Sequence, residues 1–116
     1  LAVCLDTIFQ LEGLVRNSAY LLDQGESVLD ILEDNLPDAR ILDLTGCSLD
    51  AMLYYVNQDL PVLAMLRNGE AVLVTGFNET SVVVMEPSTG KLEKRGMADT
   101  GEWLEDNGNC FITYIR

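Results

Sequence analysis

The hydrophobic periodicity of this chain changes once, near Pro61, and that change constrains the fold more than any composition does. Upstream, apolar residues recur every three or four positions between helix-capping and helix-stopping residues. Downstream, they fall into short runs rich in β-branched residues and separated by turn signals. A chain that reads helices first and strands second, with no repeat or low-complexity linker between the halves, makes an α+β domain with its N-terminal helices packed on a C-terminal antiparallel sheet. Its 116 residues form a single domain, 1–116, and the 48% hydrophobic content supplies a full core. The sequence opens on Leu1 rather than Met, so it is read as a piece of a longer polypeptide.

Leu5, Ile8, Phe9 and Leu11 to Val15 predict a first helix after Cys4, fraying near Arg16-Asn17-Ser18, and Ala19 to Asp23 a short second one stopped by Gln24-Gly25. Ser27, with Asp30 three residues on, caps a helix carrying Val28, Leu29, Ile31, Leu32 and Leu36, which Pro37 ends. Arg40 to Leu44 reads as a short extended segment, and Ser48 caps a helix from Leu49 to about Asn57. Strands are expected at Pro61 to Leu66, Glu70 to Phe77, Ser81 to Glu86 and Lys91 to Arg95, forming a meander. Asn68-Gly69 predicts a tight turn with positive φ at both residues, and Asn78-Glu79 and Pro87-Ser88-Thr89-Gly90 mark the next reversals. Met97 to Asp106 holds a helical turn around Trp103, and Cys110 to Ile115 closes the chain as the last strand. Ala71 to Val74 is apolar on both faces, which predicts a central strand covered by the N-terminal helices. Leu63, Val72, Val74, Val82, Val84 and Phe111 are the expected core.

Seven Lys+Arg against nineteen Asp+Glu leave a net charge of −12, and there is no histidine. Such a chain repels nucleic acid and anionic membranes, and it favours partners with basic surfaces. Its apolar runs are far shorter than the roughly 20 residues of a membrane helix, so no direct membrane insertion by this domain is expected. Without an imidazole, neither a Ser/His/Asp nor a Cys/His nucleophilic scheme can be completed inside the chain. Cysteines at 4, 47 and 110 have no CxxC spacing and no histidine beside them, so neither a metal site nor a cofactor is expected. The odd, sparse count reads as buried thiols, with one pair plus a free thiol as the other arrangement open to three cysteines. Cys47 and Cys110 are read as structural. Asp30, Glu33, Asp34 and Asp38 read as a solvated helix face.

Pro61-Val62-Leu63-Ala64, then Gly69-Glu70-Ala71-Val72-Leu73-Val74-Thr75-Gly76-Phe77, then Val82-Val83-Val84-Met85-Glu86-Pro87-Ser88-Thr89-Gly90 carry a pattern. In it the sequence resembles the double-glycine, bacteriocin-processing peptidases of the papain-like cysteine peptidase superfamily. In that family a Pro-Val strand precedes a Gly-His strand carrying the catalytic histidine, and the next strand closes on Asp-Pro-x-x-Gly. The helix opened by Ser48-Leu49, Trp103 after the hairpin, and Cys4 near the start of the first helix agree with it. The resemblance covers nearly the whole chain and is most specific over residues 61 to 90.

The resemblance implies a papain-like fold with Cys4 at the nucleophile position, Glu70 at that of the catalytic histidine and Glu86 at that of the aspartate orienting it. Leu5-Asp6 replaces the Gly-Pro that usually follows the nucleophile. The glutamine that completes the family's oxyanion site is not among these residues. A carboxylate beside a thiol raises its pKa instead of stabilising the thiolate. The expectation is a catalytically inactive domain serving as a peptide- or protein-binding module in a larger bacterial protein. Its partner would be a peptide or protein segment, basic in character, bound at Cys4, Glu70 and Glu86. The alternative is an active cysteine peptidase using Cys4 with a base supplied from outside this chain. Glu70 and Glu86 could also pair as acid and base or hold a cation, but acids beside turns are ordinarily solvated. Nothing in these residues encodes a location, and attachment to the cell envelope would run through a segment outside them.

Overall fold

Side-chain caps fix where three of the five helices begin. In the computed structural model, which describes residues 1–116, Asn17 Oδ1 accepts from the Tyr20 amide at 3.1 Å to open α2 (Ser18–Asp23). Ser27 Oγ accepts from Asp30 N at 3.1 Å for α3 (Val28–Asn35), and Ser48 Oγ from Ala51 N at 3.2 Å for α4 (Leu49–Val56). Each cap satisfies an amide that the helix itself cannot. The first helix, α1 (Ala2–Leu11), stops short of the expected Val15. Gly13 adopts φ +77°, and the Leu14 and Gly13 amides turn back onto the carbonyls of Phe9 and Gln10 at 2.8 and 3.0 Å. This left-handed stop leaves Val15 on the surface. Around Trp103 the chain makes a full helix, α5 (Met97–Asp106), rather than a single turn.

The six strands are β1 (Arg40–Asp43), β2 (Val62–Met65), β3 (Ala71–Phe77), β4 (Ser81–Glu86), β5 (Lys91–Gly96) and β6 (Cys110–Ile115). They form one antiparallel sheet in the order β1-β6-β2-β3-β4-β5. The short segment at Arg40 is thus an edge strand, with Arg40 opposite Ile115 and Asp43 opposite Ile112. Helices and strands are not cleanly segregated along the chain, since β1 precedes α4 and α5 precedes β6. The turn at Asn68-Gly69 also differs from expectation. Only Gly69 has positive φ, +83°, and Leu66 N donates to Glu70 O across a three-residue loop at 2.8 Å. This is a type I turn closed by a left-handed glycine, which needs one positive φ instead of two.

Both faces of the sheet are covered. On one, Leu5, Ile8 and Phe9 of α1 and Ile31 and Leu32 of α3 meet Leu63, Leu73, Ile112 and Tyr114. On the other, Met52, Leu53 and Val56 of α4 and Leu104 of α5 meet Val62, Val72, Val74, Val82, Val84 and Phe111. The six residues expected in the core are all buried. The cover differs from the expected one, because α5, late in the chain, shares the second face with α4. Fully burying each such Val, Leu or Phe is worth roughly 1.5–3 kcal/mol, so the two-sided strand β3 anchors both layers. Asp30, Glu33, Asp34 and Asp38 are exposed, as a solvated face requires. Tyr54 is exposed while Tyr55 is half-buried between the clusters, the two rings meeting edge to face at 5.2 Å.

Candidate functional site

The seating of α1 on the sheet decides what the three singled-out residues can do. Cys4 lies in the first turn of α1, and its Sγ points into the sheet, donating to the Ala71 carbonyl at 3.6 Å. One turn further on, the Thr7 hydroxyl donates to Val3 O at 2.8 Å and lies 3.6 Å from Met85 Sδ. The helix therefore crosses the start of β3 and the end of β4. Ala71 follows Glu70 and Met85 precedes Glu86, so the chain brings Cys4, Glu70 and Glu86 to one end of the sheet.

It does not join them. Cys4 is 0% exposed. The Glu70 side chain is 63% exposed, and its Oε2 lies 3.8 Å from the Leu1 ammonium. Glu86 sits at the end of β4, with Oε2 3.3 Å from Arg95 NH2 and Oε1 accepting from Ser88 Oγ at 3.2 Å. Arg95 also contacts Glu93 at 3.2 Å and stacks over the Trp103 ring at 5.0 Å. Strand alternation places Glu86 with Val82 and Val84 on the face covered by α4 and α5, whereas Cys4 belongs to the cluster on the opposite face. No hydrogen bond or ion pair links any two of the three, and Glu86 is held by Arg95.

Burial pushes the Cys4 thiol up to about 11; the amino terminus pulls the other way, and the Glu86 and Glu70 charges add to the rise. At pH 7 a thiol of that kind is ionised in only about one molecule in 10,000. The sulfur thus stays a protonated, weak donor to Ala71 O. Cys47 and Cys110, half-buried, are unpaired as well.

Open depressions lie elsewhere on the molecule. One of about 450 Å³ is lined by Glu12, Leu14, Arg16, Asn35 and Arg116 among others. Another, of about 480 Å³, is formed by Arg95, Gly96, Asp99, Thr100 and Trp103. Neither includes Cys4, Glu70 or Glu86. Sequence reasoning missed the Glu86–Arg95–Trp103 cluster. Its signal was present, since Arg95 falls on the same face of the Ser81–Gly96 hairpin as Glu86 once the register of the Pro87–Gly90 turn is known.

No protein-family model and no curated protein matches this chain. The helices seated on a six-stranded antiparallel sheet make the fold α+β. Among solved structures it is similar to a crystal structure from Bacillus anthracis, described provisionally as a C39-like peptidase, with a TM-score of 0.64 and 19% identity. The match covers 72% of this chain and 55% of that one, so this chain spans about half the length of its neighbour. At this identity the likeness is one of fold.

Proposed function

We propose that this chain is a papain-like, C39-type domain without peptidase chemistry, serving as a peptide- or protein-binding module within a larger bacterial protein. The observation that carries the reading is a chain with no histidine at all, in which the residue that the resemblance aligns with the catalytic histidine, Glu70, is an exposed carboxylate. The buried thiol of Cys4 supports it, since an enzyme of this class needs a thiolate paired with an imidazolium. Fold stability rests on the two core clusters rather than on the lost triad, so the scaffold can outlive its chemistry. With a charge of −12, the partner is a basic segment, drawn in by long-range attraction.

Titration of a fluorescently labelled basic peptide, followed by anisotropy, tests the reading. Saturable binding that weakens as salt rises, and weakens further in the Glu70→Lys variant, is the expected result. Absence of binding at low salt overturns the binding role.

A further inference from the structure

The outer edge of β5 is the last strand of the sheet and has no neighbour. Its hydrogen-bonding direction follows from the ladder. Met97 N donates to Thr80 O at 2.9 Å, in step with the pairs from Ser81–Gly96 to Glu86–Lys91. Because bonded pairs alternate in an antiparallel ladder, Lys91, Glu93 and Arg95 turn their backbone groups toward β4, while Leu92, Lys94 and Gly96 turn theirs outward. Leu92 is also 63% exposed, and Lys91 and Lys94 hold no ion pair. Three of the seven basic residues of this acidic chain, Lys91, Lys94 and Arg95, lie on this one strand.

Charged edges ordinarily guard a sheet against pairing. Here the guard depends on register. Outward groups must meet outward groups, which leaves two-fold pairings of β5 with itself centred on Leu92, Glu93 or Lys94. Centring on Glu93 opposes that carboxylate to its own copy and Lys91 to Arg95. Centring on Lys94 pairs Glu93 with Arg95, which already holds Glu86 and Trp103 in its own chain, and opposes the Lys94 ammonium to its own copy. Centring on Leu92 instead sets the two leucines against each other, places Lys91 opposite Glu93 on both sides of the axis, and faces Lys94 with Gly90, which has no side chain. The same register brings the partner's Pro87–Gly90 turn to Arg95 and Gly96, at the mouth of the depression of about 480 Å³ lined by Arg95, Gly96, Asp99, Thr100 and Trp103.

We propose that β5 is a dimerisation edge: a second copy of this chain adds its own β5 antiparallel, centred on Leu92, joining the two six-stranded sheets and seating each β4–β5 turn in the other's depression. The contact is isologous and closes on itself. A strand edge buries less than the roughly 1,200–2,000 Å² of a stable interface, and two chains of −12 repel, so the dimer is weak and strengthens as salt screens the repulsion.

Sedimentation velocity over a concentration series at raised salt reads the equilibrium directly. A monomer–dimer equilibrium is expected in the unmodified chain. Glu93→Lys, which turns both cross-strand ion pairs into like-charge pairs, weakens it by about tenfold or more, and Lys91→Glu does the same. The double variant Lys91→Glu with Glu93→Lys restores it, because the pairs re-form with their signs exchanged. Leu92→Pro removes an amide that points away from β4, so it spares the hairpin ladder and abolishes the dimer. A chain that stays monomeric throughout the series overturns the proposal. A dimer indifferent to Glu93→Lys and to Leu92→Pro does so equally.

Discussion

Alkylation of Cys4 measures how far the fold suppresses the reactivity of this thiol. With its pKa at about 11, the Cys4 thiol is ionised about 300-fold less at pH 7 than a free thiol of pKa about 8.5. A more basic thiolate is the better nucleophile, which returns about tenfold and leaves roughly a 30-fold deficit. The sulfur is also fully buried under α1, bonded to Ala71 O, which slows the approach of iodoacetamide further. The assay is iodoacetamide labelling with peptide mapping, comparing Cys4 in the folded chain with Cys4 in urea at the same pH. The folded rate should be at least about 20-fold lower and should keep rising through pH 9, as a thiol of high pKa requires. A folded rate equal to the unfolded one, or a plateau below pH 8, would refute the reasoning, because a plateau there marks a thiolate stabilised in the fold.

Phe111, fully buried between β2 and the α4–α5 layer, should cost about 3–5 kcal/mol on Phe111→Ala by urea unfolding, and a loss below about 1 kcal/mol would contradict its place in the core. The hydroxyl of Thr45, 2.6 Å from Asp43 Oδ1, and its amide at 3.0 Å hold the Asp43 carboxyl below its usual value. A carboxyl depressed in this way stabilises the fold above its unfolded pKa and loses that contribution as pH falls through the lower folded value. Thr45→Val should therefore move the Asp43 titration upward by NMR, and an unchanged titration contradicts the assignment.

Much of the architecture was legible because local chemistry and tertiary packing agree. Ser27 and Ser48 announced their helices through caps that the structure shows in place, and the two-sided run Ala71–Val74 announced the central strand. β1 was harder to see, since four residues have too little periodicity to identify a strand and it is β6, some seventy residues away, that recruits them. The first helix was overextended because Leu14 and Val15 continue its apolar pattern past Gly13. Only the backbone reversal at that glycine shows that the pattern had ended. The gathering of Cys4, Glu70 and Glu86 at one end of the sheet was legible through resemblance. The place of Glu86 on the opposite face follows from strand alternation with Val82 and Val84, which the spacing already carries. The burial of the Cys4 sulfur was not legible, since it depends on how α1 seats on the sheet, which sequence spacing does not carry.

The central claim is a papain-like fold without papain-like chemistry, and the most direct measurement is mass-spectrometric analysis of a synthetic double-glycine leader peptide incubated with the chain and with its Cys4→Ala variant. The account predicts an intact peptide in both, at the level of a protein-free control. Cleavage after the glycine pair by the unmodified chain, absent from the Cys4→Ala variant, would contradict it.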